Sequence, residues 1–471
     1  MAIQRIDMHT HVFNVRYLPL EGIIRSRGVP DLIAKGLAKL LNARTGDDIE
    51  PVAAPAGIAA AAAFAPVAAF QAADSGEAVS ALATGTPKEL ADDPDVRAAL
   101  EDMRRVRMGE LGAMPMAHVE TAAVHDQFSA LYAQLGNMQP SPGIFETGSE
   151  YLRWFQFLTH SERDIMQTLL VTYGTDVHLF IHHMMDMEAY YKHGRCYYDF
   201  VTDQLPRMRR LVNAHSGRLL TFVAYSPERT NDLNVARRAL DDTDAVGVKF
   251  YPPNGYQPDE ARHDALYQEL VQRDAPLFAH CTPAGMEAKP GVSGKNSNPV
   301  YWERVLQRFP SLRLCLGHAG GDEPWFGRIA WESSYAAKAV DLAVRFDNVY
   351  VEFGYHDDIL NPAVREKFIA RLSGLLTATP KLAKKVMYGT DWHMIEKIEK
   401  HQEYFRAFAA AFADARLEPY ADAFFYTNAV AYLRLQQFRD TRAELNGLDD
   451  PVVQNLDRVI AIADQKVIDN P

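Results

Sequence analysis

Eight short apolar runs punctuate the chain: Ile3–Met8, Val177–His183, Arg218–Tyr225, Ala245–Tyr251, Pro276–His280, Leu312–Gly317, Val349–Gly354 and Val386–Gly389. Most are rich in Val, Ile, Leu and Phe and do not alternate cleanly with polar residues. Strands buried on both faces of a parallel sheet read this way. Between the runs the spacing turns helical, over Asp232–Leu240, Asp259–Gln272, Pro299–Phe309, Glu332–Val344 and Ala363–Leu376. A strand–helix unit repeated eight times predicts an α/β fold, a (β/α)8 TIM barrel. Closure of such a barrel sets the eighth strand beside the first.

The spacing breaks once. About 160 residues separate the first run from the second, far more than one crossover needs. Residues 1–13 therefore read as the first barrel strand and 14–174 as a helical insertion or cap. Residues 175–437 supply the remainder of the barrel, and 438–471 a C-terminal helical tail. Within the insertion, Val52–Ala73 is dominated by Ala and punctuated by Pro55 and Pro66, with Pro51 just before it. It reads equally as a small-residue helix or as a linker or lid. Asp93–Arg107 and Tyr151–Leu170 have amphipathic helical spacing. Because the insertion leaves the C-terminal end of a barrel strand, it is expected to cap that face and shape a pocket there. His401–Phe412 and Pro419–Phe438 read as helices closing the barrel, and the stretch from Arg439 as docking on its outside or on a neighbour.

The chemistry-bearing residues fall where apolar strand gives way to polar loop. His9 and His11 are two apart at the end of the first run, so both imidazoles project to one face. Lys249 and His280 lie at the ends of the fourth and fifth runs, and His318 and Asp391 just past the ends of the sixth and eighth. In a TIM barrel those are the C-terminal strand ends, the face that carries active sites. His9, His11, His280 and Asp391 make a metal set of three imidazoles and one carboxylate with a position left open. A carboxylate such as Asp391 suits Zn, Mn or Fe(II) and can act as base toward water that a metal has acidified; its bland alternative is a helix N-cap. His318, in Leu316-Gly-His318-Ala-Gly-Gly321, reads as a second-metal ligand or as an acid/base group that polarises a carbonyl. Lys249 reads either as an ammonium pairing an acid or, after capturing CO2, as a carbamate bridging two metals. Glu352 is placed to hydrogen-bond a ligating histidine. His182, His183, Asp186, Tyr251, Asn254, Tyr256, Trp325, Trp392 and His393 lie on strand-end loops, where packing is the commoner role.

Composition narrows the picture. The 471 residues are 48% hydrophobic and 23% charged, which fits a globular chain with ample core. A net charge of −12 argues against a nucleic-acid surface. Three cysteines, Cys196, Cys281 and Cys315, are too few and too scattered for a disulfide framework. No signal-like or membrane-spanning apolar run stands out, so the expectations are a cytoplasmic location, no membrane partner, a small-molecule substrate and scope for a homo-oligomer.

In its motifs the chain resembles the amidohydrolase superfamily, in the branch that includes aminocarboxymuconate-semialdehyde decarboxylase and resorcylate-type decarboxylases. The matching pieces are Ile6-Asp-Met-His9-Thr-His11, Gly247-Val-Lys249-Phe-Tyr-Pro252, Pro276-Leu-Phe-Ala-His280, Leu316-Gly-His318-Ala-Gly-Gly321, Tyr388-Gly-Thr-Asp391 and Asn428-Ala-Val-Ala-Tyr-Leu433. They occur in the family's order over residues 1–13 and about 175–437, and leave the insertion uncovered. The resemblance implies one or two divalent ions, most often zinc with Mn or Fe as alternatives, held by residues matching His9, His11, His280 and Asp391. His318 matches the sixth-strand histidine that binds a second metal or serves as acid/base. Lys249 matches the position that is carboxylated in binuclear members. The decarboxylases of the branch generally lack that lysine, so the expected activity is metal-dependent hydrolysis of a C–N or C–O bond in an amide, lactam, lactone or ester. The alternatives are non-oxidative decarboxylation of an aromatic or unsaturated acid, and a catalytically silent barrel whose insertion binds a partner.

Overall fold

The structure is a computed structural model that describes residues 4–26, 31–49, 157–174, 177–192, 194–215, 217–285, 293–398 and 400–469. The Ala-rich segment Val52–Ala73, the expected helix Asp93–Arg107 and the start of Tyr151–Leu170 lie outside them. The chain packs as two units. One comprises Met1–Phe13, Leu169–Tyr190 and Phe200–Pro471; the other comprises Asn14–Thr168 and Tyr191–Asp199.

The first unit is the expected barrel. Strands β1 (Arg5–Thr10), β2 (Val177–His183), β3 (Leu219–Tyr225), β4 (Gly247–Phe250), β5 (Leu277–His280), β6 (Leu314–Gly317), β7 (Val349–Glu352) and β8 (Val386–Met387) form one sheet in sequential order. Every adjacent pair is parallel. Nearly every strand residue is buried, which explains why the runs lack polar alternation. Helices lie where helical spacing was read, including Asp232–Asp241, Asp264–Arg273, Pro299–Arg308, Tyr335–Arg345 and Pro362–Ala378. Asn298, Ser334 and Asn361 cap three of these by accepting backbone N–H groups at the first turn.

The ring closes between β1 and β8. Met8 N–H donates to Tyr388 O at 3.1 Å, Asp391 N–H to His9 O at 2.7 Å, and His11 N–H to Trp392 O. A buried carboxylate reinforces this seam. Asp7 accepts from Thr390 N–H (2.9 Å), Thr390 Oγ1–H (2.7 Å) and His9 N–H (3.2 Å). Burial pushes its carboxyl up to about 7 although these hydrogen bonds pull the other way. Asn428 pins the start of β8, donating from Nδ2 to Ala383 O and Val386 O at 2.8 Å each. Removing the Asp7 carboxylate takes the acceptor from the buried N–H groups of Thr390 and His9, while the Thr390 hydroxyl can still turn to His9 O. Asp7→Ala is therefore expected to cost about 2–4 kcal/mol, read as a lower midpoint in urea unfolding.

The tail docks on the barrel itself. On the helix Pro451–Asp469, Asn455 Nδ2 donates to Gly217 O at 3.0 Å and His178 O at 3.3 Å, at the N-terminal ends of β3 and β2. No helix of the described residues is long and apolar enough to cross a membrane.

In the second unit, the segment after the first strand runs into helices Leu20–Ser26 and Asp31–Arg44. Glu162, fully buried, holds that segment by accepting from Asn14 Nδ2 (3.0 Å) and Tyr17 Oη–H (2.7 Å). Arg16 donates to Asn42 O and to Tyr198 Oη.

Candidate active site

All six residues at the strand ends, His9, His11, Lys249, His280, His318 and Asp391, are buried on the C-terminal side of the barrel. Barrel closure brings Asp391 to the histidines of β1. Its Oδ1 lies 3.3 Å from His9 Nε2 and 3.2 Å from His11 Nε2. Lys249 Nζ sits 3.3 Å from the same His9 nitrogen and 4.4 Å from the centre of the Phe278 ring.

The partners on the far side of each ring decide which nitrogen faces inward. His11 Nδ1 is 2.8 Å from the backbone carbonyl of His183, which only accepts, so that nitrogen carries the proton. His11 then turns Nε2 toward Asp391. His9 Nδ1 lies 3.3 Å from Glu352 Oε2, and that oxygen also accepts the His318 backbone N–H at 3.1 Å. His9 Nε2 is thereby left as a second inward nitrogen. Burial holds the His9 ring well below the usual histidine range, and the Lys249 charge adds to the effect.

Two imidazole nitrogens and a carboxylate oxygen thus converge, an arrangement suited to hold a cation among them. His9, His11 and Asp391 place ligand atoms within 4.8 Å of one another. Four ligands at about 2.0–2.1 Å from a tetrahedral ion are about 3.4 Å apart, close to the 3.2 and 3.3 Å seen here. The donor set of nitrogen plus carboxylate oxygen fits zinc, manganese or iron(II). A second group, His9, His318 and Glu352, is equally compact.

His280 and His318 are arranged differently from the expected four-ligand set. His280 turns Nε2 to Ala284 O (2.8 Å) and Nδ1 to His318 Nε2 (3.1 Å), rather than toward Asp391. His318 Nδ1 in turn meets Gly354 O at 3.1 Å. Carbonyls at both ends only accept, so three hydrogen bonds here need three N–H groups. Burial lowers both imidazoles to about 3, and two neutral rings supply two. One nitrogen of the pair is left facing another lone pair, the position a cation or substrate proton would satisfy. Lys249 is drawn down to about 8 by burial, against the pull of Asp391 and Glu352, so its amine is far easier to deprotonate than an ordinary lysine.

Backbone strain gathers at the same strand ends. His318 (φ 61°), Tyr355 (φ 57°) and Asp391 (φ 60°) are left-handed without being glycine. Such residues cost about 1–3 kcal/mol each and persist where the surroundings hold them.

The secondary candidates fall mostly into packing and support. His182 Nδ1 accepts Val12 N–H at 2.8 Å, and His183 Nε2 donates to Met8 O at 2.8 Å. Asp186 pairs with Arg229 at 2.8 Å. Asn254 donates to Asp186 O, and Tyr256 Oη accepts Tyr251 N–H. Trp325 and Trp392 donate their indole N–H groups to Ala319 O and Glu396 Oε1. Tyr251 packs its ring 4.9 Å from that of His280, and His393 packs against Phe13. Asp7, Thr390 and the His183 carbonyl are site-shaping groups that the sequence reading did not single out. The i, i+2 spacing of Asp7 to His9 was the available signal.

An eight-stranded parallel barrel with imidazoles and a carboxylate converging at its C-terminal strand ends defines a class of metal-dependent TIM-barrel enzymes. A family model described as amidohydrolase matches residues 183–435, more than half of the sequence, and the chain belongs to the amidohydrolase family. Among curated proteins none matches. Solved structures similar to the chain include 5-carboxyvanillate decarboxylase of Novosphingobium aromaticivorans, complexed with manganese and 4-hydroxy-3-methoxy-5-nitrobenzoic acid. It is 17% identical over 72% of this chain and 93% of its own, with a TM-score of 0.43. An amidohydrolase of Burkholderia multivorans with bound zinc is 12% identical over 61% of this chain and 94% of its own, with a TM-score of 0.43. An uncharacterised TIM-barrel protein of Bordetella bronchiseptica is 16% identical over 58% and 83%, with a TM-score of 0.41.

Proposed function

We propose that this amidohydrolase-family enzyme is a metal-dependent hydrolase of a small molecule, cleaving a C–N or C–O bond of an amide, lactam, lactone or ester. The observation that carries the reading is the convergence of His9 Nε2, His11 Nε2 and Asp391 Oδ1 with both tautomers fixed from outside. A divalent ion held by these three, with His280 as a further ligand if its ring turns, would supply Lewis acidity to a carbonyl and to water. Asp391 takes the proton of the attacking water and returns it to the leaving nitrogen or oxygen. His318, its Nδ1–H held by Gly354 O, turns Nε2 toward His280 and polarises the carbonyl oxygen once a proton is placed on that nitrogen. Lys249 either completes a two-ion site as a carbamate or meets an anionic substrate group as an ammonium.

The test joins metal content to a substrate panel. Protein purified without chelator is expected to hold one or two equivalents of Zn, Mn or Fe by elemental analysis. Dialysis against a metal chelator should abolish hydrolysis of lactones, esters or amides in the panel, and the restored ion should return it. Release of CO2 from aromatic or unsaturated acids, with no hydrolysis anywhere in the panel, would replace this reading with decarboxylation. A protein that takes up no metal even when supplied would leave the silent barrel standing.

A further inference from the structure

We propose that Glu352 is a positioning residue that couples the metal-binding imidazole of His9 to the acid/base residue His318 through a single carboxylate oxygen. The inference rests on the reading of His9 and His318 given above. Oε2 of Glu352 accepts the His318 backbone N–H at 3.1 Å and lies 3.3 Å from His9 Nδ1. One atom on β7 therefore sets the tautomer of a residue on β1 and the chain path at the end of β6. The path needs holding, because His318 and Ala319 are both left-handed without being glycine.

The surroundings are shaped around this carboxylate. A Cβ on either Gly354 or Gly389 would overlap Glu352 Oε1, so glycine at both positions makes the room it occupies. Glu352 is fully buried, and among the described residues its Oε1 has no hydrogen-bond partner. A buried carboxyl with half its acceptor capacity unused is a poor way to fill space, since an apolar side chain there would avoid the desolvation cost. What an apolar side chain cannot do is accept two N–H groups at one point. Outer carboxylates on ligating histidines fix the ring and raise its basicity, and their loss typically lowers metal affinity 10–100-fold.

Two conservative variants separate reach from charge. Glu352→Gln keeps an oxygen at the Oε2 position and turns its NH2 to the side without a partner. Glu352→Asp keeps the charge but falls one methylene short. Zinc affinity measured by competition with a chromophoric chelator, and the visible spectrum of the cobalt(II)-substituted protein, report ligand geometry independently of turnover. Positioning predicts Gln within about 3-fold of the parent with the same cobalt spectrum. Asp should be weakened about 10–100-fold with a changed spectrum. Asp at the parental affinity with Gln weakened would overturn the proposal in favour of charge alone, and two parental variants would overturn it outright. His9→Ala is the control for the underlying reading. If it too binds zinc like the parent, the site assignment fails; if it loses zinc while both Glu352 variants are parental, only the coupling fails.

Discussion

Replacing Asp391 with asparagine is expected to lower turnover about 10⁴-fold and to leave the protein with little tightly bound metal. The expectation follows from the charge balance of the site. Asp391 Oδ1 is the carboxylate oxygen between the two inward nitrogens of His9 and His11. An amide in its place offers a weaker, neutral ligand and no base for the water proton. Asparagine is the informative substitution because Asp391 sits at φ 60°, a conformation asparagine adopts more readily than alanine. Thermal unfolding should therefore move little, within the range of a surface substitution, so that lost activity is not confused with lost fold. Metal per chain by elemental analysis and initial rates on a substrate of the parent decide it. An Asn variant that keeps its metal and runs within ten-fold of the parent would remove Asp391 from the mechanism.

Asp391 also shows what was legible in the sequence. The eight runs were readable because burial on both faces removes polar alternation, and their order fixed the barrel. Closure of that barrel predicted that residue 391 would meet residues 9 and 11, and the backbone bonds Asp391 N–H to His9 O and Met8 N–H to Tyr388 O make that seam. Strand ends were less legible. The eighth run extends to Gly389, yet β8 proper is Val386–Met387. The donors of Thr390 that follow it go to the Asp7 side chain instead of a strand ladder. The orientation of His280 was not legible at all. Its Nε2 contact with Ala284 O is made by a loop whose path no periodicity encodes. Nor does a single chain announce that Gly354 and Gly389 are small because Glu352 Oε1 needs their space.

Lys249→Met is expected to reduce turnover about 10²–10³-fold and, if the lysine is carboxylated, to halve the metal content from about two ions per chain to about one. The physical condition for carboxylation is a neutral amine near a cationic site. Burial brings Lys249 down to about 8, so at pH 7 about one amine in ten is unprotonated, against about one in 3,000 for an ordinary lysine. The free amine adds to the carbon of CO2, releases one proton and becomes an anionic carbamate able to bridge two ions. The sign of the pH effect follows. Metal uptake from bicarbonate-containing buffer should rise as pH climbs from 6 through 8, since the neutral amine grows over that interval. In CO2-free buffer the parent should load fewer ions, and the Met variant should ignore bicarbonate altogether. The competing role makes a different signature. An ammonium that pairs a substrate carboxylate would leave metal content unchanged in Lys249→Met and raise KM more than it lowers kcat. It would also weaken substrate binding in the parent as pH rises through 8, the opposite slope. A single Nζ cannot be ammonium and carbamate at once, so the two slopes exclude each other.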